Sequence, residues 1–261
     1  MTPSNPIRTG KPSWLRRKLP SGPEYEQIRS LIGNGQLHTV CQAANCPNQF
    51  ECFSSRTATF LILGATCTRN CRFCNIEGGR PELPDADEPR RVAEAAKRMN
   101  LRYVVVTSVT RDDLEDGGSG HFAATIHALR EAIPHVQVEV LIPDFQGDRS
   151  ALERVLMARP DVLNHNMETV RRLYPDVRPQ AAYDRSLELL TRVSSIDPFI
   201  PAKSGIMLGL GETEEEVRQT IADIYCTGCQ MPAIRFAISP RSRLENPEGC
   251  GVLMVGHSDE G

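Results

Sequence analysis

Two groups of three cysteines lie close together in the amino-terminal third of the chain. Their members are Cys41, Cys46 and Cys52, with the spacing CX4CX5C, and Cys67, Cys71 and Cys74, with the spacing CX3CX2C. Cysteine thiolates ligate zinc ions and iron–sulfur clusters, and a structural zinc site closes all four of its positions. Each group is therefore one ligand short of a closed tetrahedral site.

The overall composition sets the context for these cysteines. The chain of 261 residues is 40% hydrophobic and 24% charged, as in soluble globular proteins, and its net charge of -3 argues against a general polyanion binder such as a nucleic-acid protein. Its apolar runs are too short to cross a bilayer, and no secretory signal is evident. We expect a cytoplasmic protein with no membrane partner, where clustered cysteines are more often metal ligands than disulfides.

Short apolar strands alternate with helical patterns along most of the chain. Strands are expected at 59–63, 101–107, 136–142, 162–165 and 205–209, and helices near 24–32, 88–99, 119–132, 149–158, 181–194 and 213–224. Strands that alternate with helices predict βαβ units and a parallel sheet. At least five such strands, without a lone early GXGXXG, favour an α/β fold with a partial parallel (β/α) barrel. Polar residues that follow the strands should then gather at one face.

The second cysteine group directly follows the first expected barrel strand. Three thiolates there can each bind one iron of a [4Fe–4S] cluster and leave the fourth iron open to a small molecule. Zinc is the alternative, but no second pair of Cys or His lies nearby at the spacing of a zinc site. The CX3CX2C spacing, with Phe73 before the last cysteine, resembles the radical S-adenosylmethionine (SAM) superfamily.

That resemblance implies a chemistry for Cys67, Cys71 and Cys74. The amino and carboxylate groups of SAM would chelate the open iron, and an electron from the reduced cluster would generate a 5′-deoxyadenosyl radical that abstracts hydrogen from an unactivated carbon. The protein supplies ligands, orientation and a dry barrel mouth.

Longer stretches narrow the resemblance to the lipoyl synthase family. They lie in the same order between about residues 12 and 225, and they are CQAANCPNQFEC, TATFLILGATCTRNCRFCNIEGGRP, VVVTSVTRDDLEDGGSGHF, PDFQGD, VLNHNMETV and KSGIMLGLGETEEEV. The resemblance implies insertion of two sulfur atoms, at C6 and C8, into an octanoyl chain on a lysine of a lipoyl carrier domain. The implied carriers are E2 subunits of 2-oxoacid dehydrogenases and the glycine cleavage H protein, and the implied electron donor is a ferredoxin or flavodoxin.

The first cysteine group gains a role from the same resemblance. Cys41, Cys46 and Cys52 would bind an auxiliary [4Fe–4S] cluster that is dismantled to provide the sulfur, so the protein would hold two clusters and consume two SAM molecules. The alternative is an electron-relaying auxiliary cluster, as in other radical SAM enzymes. The two interpretations differ in whether the cluster survives turnover.

Several polar residues are candidate SAM contacts because of the resemblance and their positions after strands. They are Gly78 and Gly79 at the methionine amino group, Ser108, Arg111 and Asp112 after the second strand, Asn164, Asn166 and Glu168 after the fourth, Lys203 and Ser204 before the fifth, and Gly209–Glu212 on the adenine side. The glycines also suit ordinary turns, and His165 is equally compatible with a structural histidine.

The expected organisation has three parts. Residues 1–56 form an extension with the auxiliary cysteines, residues 57–225 form the barrel core, and residues 226–261 form a divergent tail. Because the resemblance stops near residue 225, we expect no sixth strand and an open edge on the fifth strand. The tail lacks the family's terminal serine ligand; Ser242, Cys226, Cys229 and Cys250 are possible substitutes, although chance or a buried cysteine is the simpler interpretation for the three cysteines.

The divergent tail leaves alternatives for the function. One is an inactive or impaired, truncated lipoyl synthase-like protein that still binds iron–sulfur clusters. Another is a radical SAM enzyme with a relay cluster, and a zinc-binding structural module comes last. The basic residues Arg16–Lys18 either help to dock an acidic carrier or lie in a solvated arm, which is the simpler interpretation.

Overall fold

The structure, a computed structural model, describes residues 38–39 and 57–236. Its strands are β1 (His38–Thr39), β2 (Thr57–Ile62), β3 (Thr66–Cys67), β4 (Glu77–Gly78), β5 (Tyr103–Ser108), β6 (Gln137–Leu141), β7 (Val162–Asn164), β8 (Ala202–Leu208) and β9 (Met231–Phe236). Its helices are α1 (Glu88–Arg98), α2 (Ser119–Ala132), α3 (Arg149–Met157), α4 (Tyr174–Val177), α5 (Tyr183–Ile196) and α6 (Glu214–Cys226), with 3-10 turns at Phe145–Gly147 and Arg171–Leu173.

Seven strands form the main sheet in the order β1-β2-β5-β6-β7-β8-β9. All neighbours pair in parallel except β1, which runs antiparallel to β2. Because helices connect the parallel strands, the carboxyl ends of those strands lie at one edge. The separate pair β3-β4 belongs to the cysteine loop that follows β2.

The apolar core lies between the sheet and its helices. Val104 and Val106 of β5 and Val138 and Val140 of β6 are fully buried in the main core cluster. Alternate residues of the same strands face the opposite, concave side, since side chains alternate along a strand. The Tyr103 hydroxyl donates a 2.6 Å hydrogen bond to the carboxylate of Glu139 there, so the concave side carries polar groups.

The sequence predictions for the core elements are confirmed. The five predicted strands and the five predicted helices between residues 57 and 226 are present, with ends that differ by a few residues. Within the described ranges, no helix is both long enough and apolar enough to cross a membrane. The predicted helix at 24–32 and residues 237–261 of the tail lie outside the described residues.

The expectation that the sheet lacks a sixth strand was wrong. Strand β9 pairs in parallel with β8 at six positions, from Lys203↔Met231 to Leu208↔Phe236. The sheet therefore continues beyond the boundary expected at residue 225, and β8 has no open edge. Pro232 made this strand hard to predict, because proline has no backbone N–H to donate to a neighbouring strand. Proline is tolerated in β9 because β9 lies at the edge of the described sheet.

Candidate active site

The second cysteine group lies on the loop that leaves β2 at the carboxyl edge of the sheet. Cys67 ends β3 and pairs with Gly78 of β4, and the side chains of Cys67, Cys71 and Cys74 are half-buried. The backbone N–H groups of Arg69 and Thr110 donate to Cys67 Sγ at 3.4 and 3.3 Å. Hydrogen bonds to sulfur stabilise cluster-ligating thiolates, so this donor set fits a [4Fe–4S] cluster.

A buried ion-pair network holds the cysteine loop. Arg69, between the first two cysteines, donates from Nε and Nη2 to Asp112 at 2.6 and 2.8 Å, and from Nη2 to Asp144 at 2.6 Å. Arg185 adds a contact of 3.1 Å to Asp144. Burial alone would raise the pKa of Asp144, but the hydrogen bond and charge of Arg69 lower it to about 2. Asp144 is therefore ionised at neutral pH.

Backbone contacts hold the loop at two further places. Thr68 donates from its N and Oγ1 to the Thr110 carbonyl at 3.0 and 2.9 Å. The Arg72 N–H donates to the Val177 carbonyl at 2.9 Å, and Phe73 packs against Val177 and its apolar neighbours. The loop position is thus set by groups that follow β5, β6 and β7.

The residues Asn166 and Glu168, which follow β7, lie near the same edge. Asn166 Nδ2 donates to Glu168 Oε1 at 3.0 Å, and Glu168 has a φ of +65°, a conformation rare outside glycine that clusters at functional sites. The buried Asn166 Oδ1 has no hydrogen-bond partner among the described residues. A Cβ at Gly205 would lie 3.2 Å from that oxygen. An unpartnered acceptor beside a glycine suits a donor on a bound ligand, such as SAM.

His165 is a structural histidine in this fold. Its Nδ1 lies 2.9 Å from the Ile142 carbonyl and its Nε2 lies 3.0 Å from Ser186 Oγ. Burial, assisted by the positive charge of Arg178, lowers its pKa to about 4. The neutral ring therefore donates from Nδ1 to the carbonyl and accepts from the Ser186 hydroxyl at Nε2.

The expected placement of Lys203 and Ser204 before the strand was wrong. Both lie inside β8, which starts at Ala202, and neighbouring strand residues face opposite sides. Lys203 Nζ contacts the two carboxylate oxygens of Glu139 at 3.0 and 3.1 Å on the concave side. Ser204 is fully buried, and its Oγ has no partner among the described residues. Pairing with Glu139 explains why the strand tolerates a charged residue.

The other predicted residues have varied positions. Gly78 and Gly79 are exposed beside the cysteine loop, and Ser108 ends β5 with its buried Oγ unpartnered within residues 57–236. Arg111 is almost fully buried, paired with Asp113, and its Nη1 donates to the Leu63 carbonyl. Arg111 thus stabilises the end of β2. Contact of any of these residues with SAM stays a prediction.

Three important residues were not recognised from the sequence. Arg69 and Arg178 are not among the candidate residues above, and Asp144 occurs there only within the stretch PDFQGD. Arg178 is buried and donates to the carbonyls of Asn166 and Met167 at 2.9 and 3.2 Å. The sequence drew attention only to the positions of Arg69 and Asp144, because Arg69 lies within CTRNC and Asp144 within PDFQGD.

The predicted metal ligands are only partly described. Cys41, Cys46 and Cys52 lie outside the described residues. Among residues that are described, no three His, Cys, Asp or Glu side chains gather closely enough for a single metal ion. A cluster does not require such convergence, because each thiolate binds a different iron.

Solved structures share this fold. HydG, a maturase of the [FeFe]-hydrogenase, matches with a TM-score of 0.58 at 15% identity over 82% of this chain and 55% of its own. Methylornithine synthase (PylB) matches with a TM-score of 0.54 at 12% identity over 82% of this chain and 64% of its own. At these identities the likeness shows the fold alone.

Sequence comparisons are more specific. Residues 61–224 match the Radical SAM superfamily. Lipoyl synthase of Oleidesulfovibrio alaskensis is 59% identical over 89% of this chain and 79% of its own length. Lipoyl synthase of Caldicellulosiruptor saccharolyticus is 53% identical over 90% of this chain and 82% of its own length. The chain therefore belongs to the radical SAM superfamily and, within it, to the lipoyl synthase family.

Proposed function

We propose that this chain is a lipoyl synthase, a sulfurtransferase that inserts two sulfur atoms, at C6 and C8, into a protein-bound octanoyl-lysine. The observation that carries this proposal is the 59% identity to a lipoyl synthase over 89% of the chain. The anchored loop of Cys67, Cys71 and Cys74 at the carboxyl edge of a partial barrel supports it, since working groups of such barrels lie at that edge.

Cys67, Cys71 and Cys74 would hold the [4Fe–4S] cluster that binds SAM. When bound, the reduced cluster supplies the electron that cleaves SAM and starts hydrogen abstraction from the octanoyl chain. The protein's own contribution is positional. Arg69 fixes the loop, two backbone N–H groups donate to the Cys67 sulfur, and Asn166 offers an unpartnered acceptor to the ligand.

Cys41, Cys46 and Cys52 would hold a second, auxiliary [4Fe–4S] cluster that is the sulfur source. This assignment is supported by the CX4CX5C spacing and the family membership. The proposed carriers are E2 subunits of 2-oxoacid dehydrogenases and the glycine cleavage H protein, with a ferredoxin or flavodoxin as electron donor. A cytoplasmic location is proposed because the thiols must stay reduced.

The test of the function is the intact mass of an octanoylated lipoyl carrier domain after anaerobic incubation with reconstituted protein, SAM and a strong reductant. A mass shift that matches two inserted sulfur atoms is expected. The matched control replaces Cys71 with Ser, and its carrier mass should not change. An unchanged octanoyl mass with cluster-loaded, folded wild-type protein would contradict the proposal and favour an impaired, lipoyl synthase-like protein.

Iron analysis tests the two clusters separately. Wild-type protein should bind about eight irons, and replacement of either cysteine group with Ala should leave about four. If the auxiliary cluster is consumed as the sulfur source, its iron should be released during turnover. Retention of all iron after sulfur insertion would instead indicate an electron relay.

A further inference from the structure

Arg178 is a buried cation in the part of the structure that is described, and no carboxylate accepts a hydrogen bond from it there. It is 8% exposed. Its hydrogen bonds come from Nη1, to the carbonyls of Asn166 and Met167 and, at 3.2 Å, to the Tyr174 hydroxyl. Its buried Nε has no partner within the described residues. Burial opposes the charge of Arg178, but the negative charges of Glu168 and Asp144 favour it, and its pKa is raised. Neither carboxylate accepts a hydrogen bond from the guanidinium, so a buried cation with an unpartnered Nε can still stabilise a further anion nearby.

The cysteine loop reaches the segment that carries Arg178. The Arg72 N–H bonds the Val177 carbonyl at 2.9 Å, which places the backbone next to Cys71 against the backbone next to Arg178. The Asn70 N–H also reaches Gln180 Oε1, at 3.5 Å. The segment that carries Arg178 therefore lies against the cysteine loop on both sides of Cys71 in the sequence.

A rigid network fixes Arg178 behind the site. Nη1 donates to the Tyr174 hydroxyl, that hydroxyl donates to Ser186 Oγ at 3.3 Å, and Ser186 donates to Nε2 of the neutral His165. The guanidinium also lies 5.4 Å from the centre of the Tyr174 ring. With these groups neutral, the network orients the cation without cancelling its charge.

A cluster held by three thiolates is anionic, and it gains one more negative charge on reduction. A fixed cation in a partly desolvated site stabilises the more negative state, and nearby charge is one of the factors that set cluster potentials. We propose that Arg178 is a positioning residue that provides the counter-charge of the cluster bound by Cys67, Cys71 and Cys74 and raises its reduction potential. This inference rests on the proposed cluster assignment.

The experiment is an EPR-monitored redox titration of the reconstituted protein in which Cys41, Cys46 and Cys52 are replaced with Ala, so that one cluster gives the signal. It is performed without SAM and then with SAM. In Arg178→Gln we expect at least a tenfold lower ratio of reduced to oxidised cluster at a given potential, which equals a midpoint shift of about 59 mV to more negative values. Arg178→Lys should stay close to the parent.

The matched control is Arg171→Gln. Arg171 is exposed and pairs with Asp184 at 2.7 Å, so loss of its solvated charge should not move the midpoint. If Arg178→Gln does not fold, Arg178→His replaces it: its midpoint should rise as pH falls and the imidazole gains charge, more steeply than in Arg178→Lys. A flat profile there would overturn the proposal.

Two other outcomes would also overturn it. One is a parental midpoint in cluster-loaded Arg178→Gln without SAM. The other is a weaker SAM affinity with no change in the SAM-free midpoint, which would make Arg178 a ligand of SAM. The iron content and EPR spectrum of the parent test the cluster assignment itself. A parent with four irons and an unshifted variant refutes only the role of Arg178, whereas a parent without a cluster refutes the assignment.

Discussion

Replacement of Asp144 with Asn should destabilise the cysteine loop more than any other single change in its ion-pair network. The Asp144 side chain is fully buried and its partner Arg69 is 4% exposed. Removal of one member of a buried ion pair typically costs about 3–5 kcal/mol, because the other charge stays buried without a partner. An Asn side chain keeps the shape of Asp but not the negative charge.

The pKa of Asp144 gives a second measure of the same interaction. A decrease from 3.8 to about 2 corresponds to roughly 2 kcal/mol in favour of the ionised, folded form. This contribution is present above pH 3.8 and is lost as the pH falls through about 2. We therefore expect Asp144→Asn to lower the free energy of unfolding by about 3 kcal/mol at pH 7, or the Tm by roughly 6–12 °C.

The assay is anaerobic thermal unfolding of the reduced, cluster-free chain, followed by iron analysis after reconstitution. Asp112→Asn should cost less, about 1 kcal/mol, since the Asp112 side chain is 26% exposed. The control Glu153→Gln breaks an exposed pair with Arg149 and should change stability by less than about 0.5 kcal/mol. If Asp144→Asn is no less stable than this control, the network does not hold the loop as described.

Three further predictions concern other parts of the site and core. Burial lowers the pKa of His165 to about 4, so the unfolded state binds more protons than the folded state below pH 6.5. The free energy of unfolding, measured by urea titration, should therefore drop by about 2 kcal/mol between pH 8 and pH 5. The same drop in His165→Asn would contradict this. Gly118 and Gly64 both have positive φ, but only at Gly118 would a Cβ lie 2.4 Å from a leucine methyl. Gly118→Ala should therefore cost about 1–3 kcal/mol more than Gly64→Ala in the same urea assay, and equal costs would refute the steric argument. Lys203→Met leaves Glu139 buried without its counter-charge and should lower the free energy of unfolding by about 3 kcal/mol. Lys203→Arg keeps the charge and should lose much less. Equal losses for the two variants in chemical denaturation would show that the charge is unimportant.

The fold was largely predictable because its strands and helices carry strong periodic patterns. A run such as Val104–Val106 between helical segments is typical of a buried parallel strand. The errors occur where one residue contradicts its element locally. The start of β8 was placed too late because Lys203 is charged, and its charge is tolerated in the strand only through Glu139. Strand β9 was not predicted because it contains Pro232.

The candidate site was predictable only where spacing carries the information. The two cysteine groups indicated clusters because their ligands are close in sequence. Arg69 and Asp144 lie inside conspicuous motifs, but the motifs do not show that these residues pair. Their roles, and that of Arg178, could not be predicted, because charged residues are normally exposed and their burial follows from tertiary contacts. Asp144 lies 75 residues from Arg69, and no local pattern joins them.

The distant anchors of the cysteine loop also determine when this loop can form during synthesis. Arg69 needs Asp112 and Asp144, which are 43 and 75 residues further along, and Asn70 contacts Gln180, 110 residues further along. A nascent chain that has emerged from the ribosome only as far as Cys74 has the ligands but none of these anchors. Iron–sulfur delivery machinery therefore meets a fixed three-cysteine loop only after most of the barrel has been translated and folded.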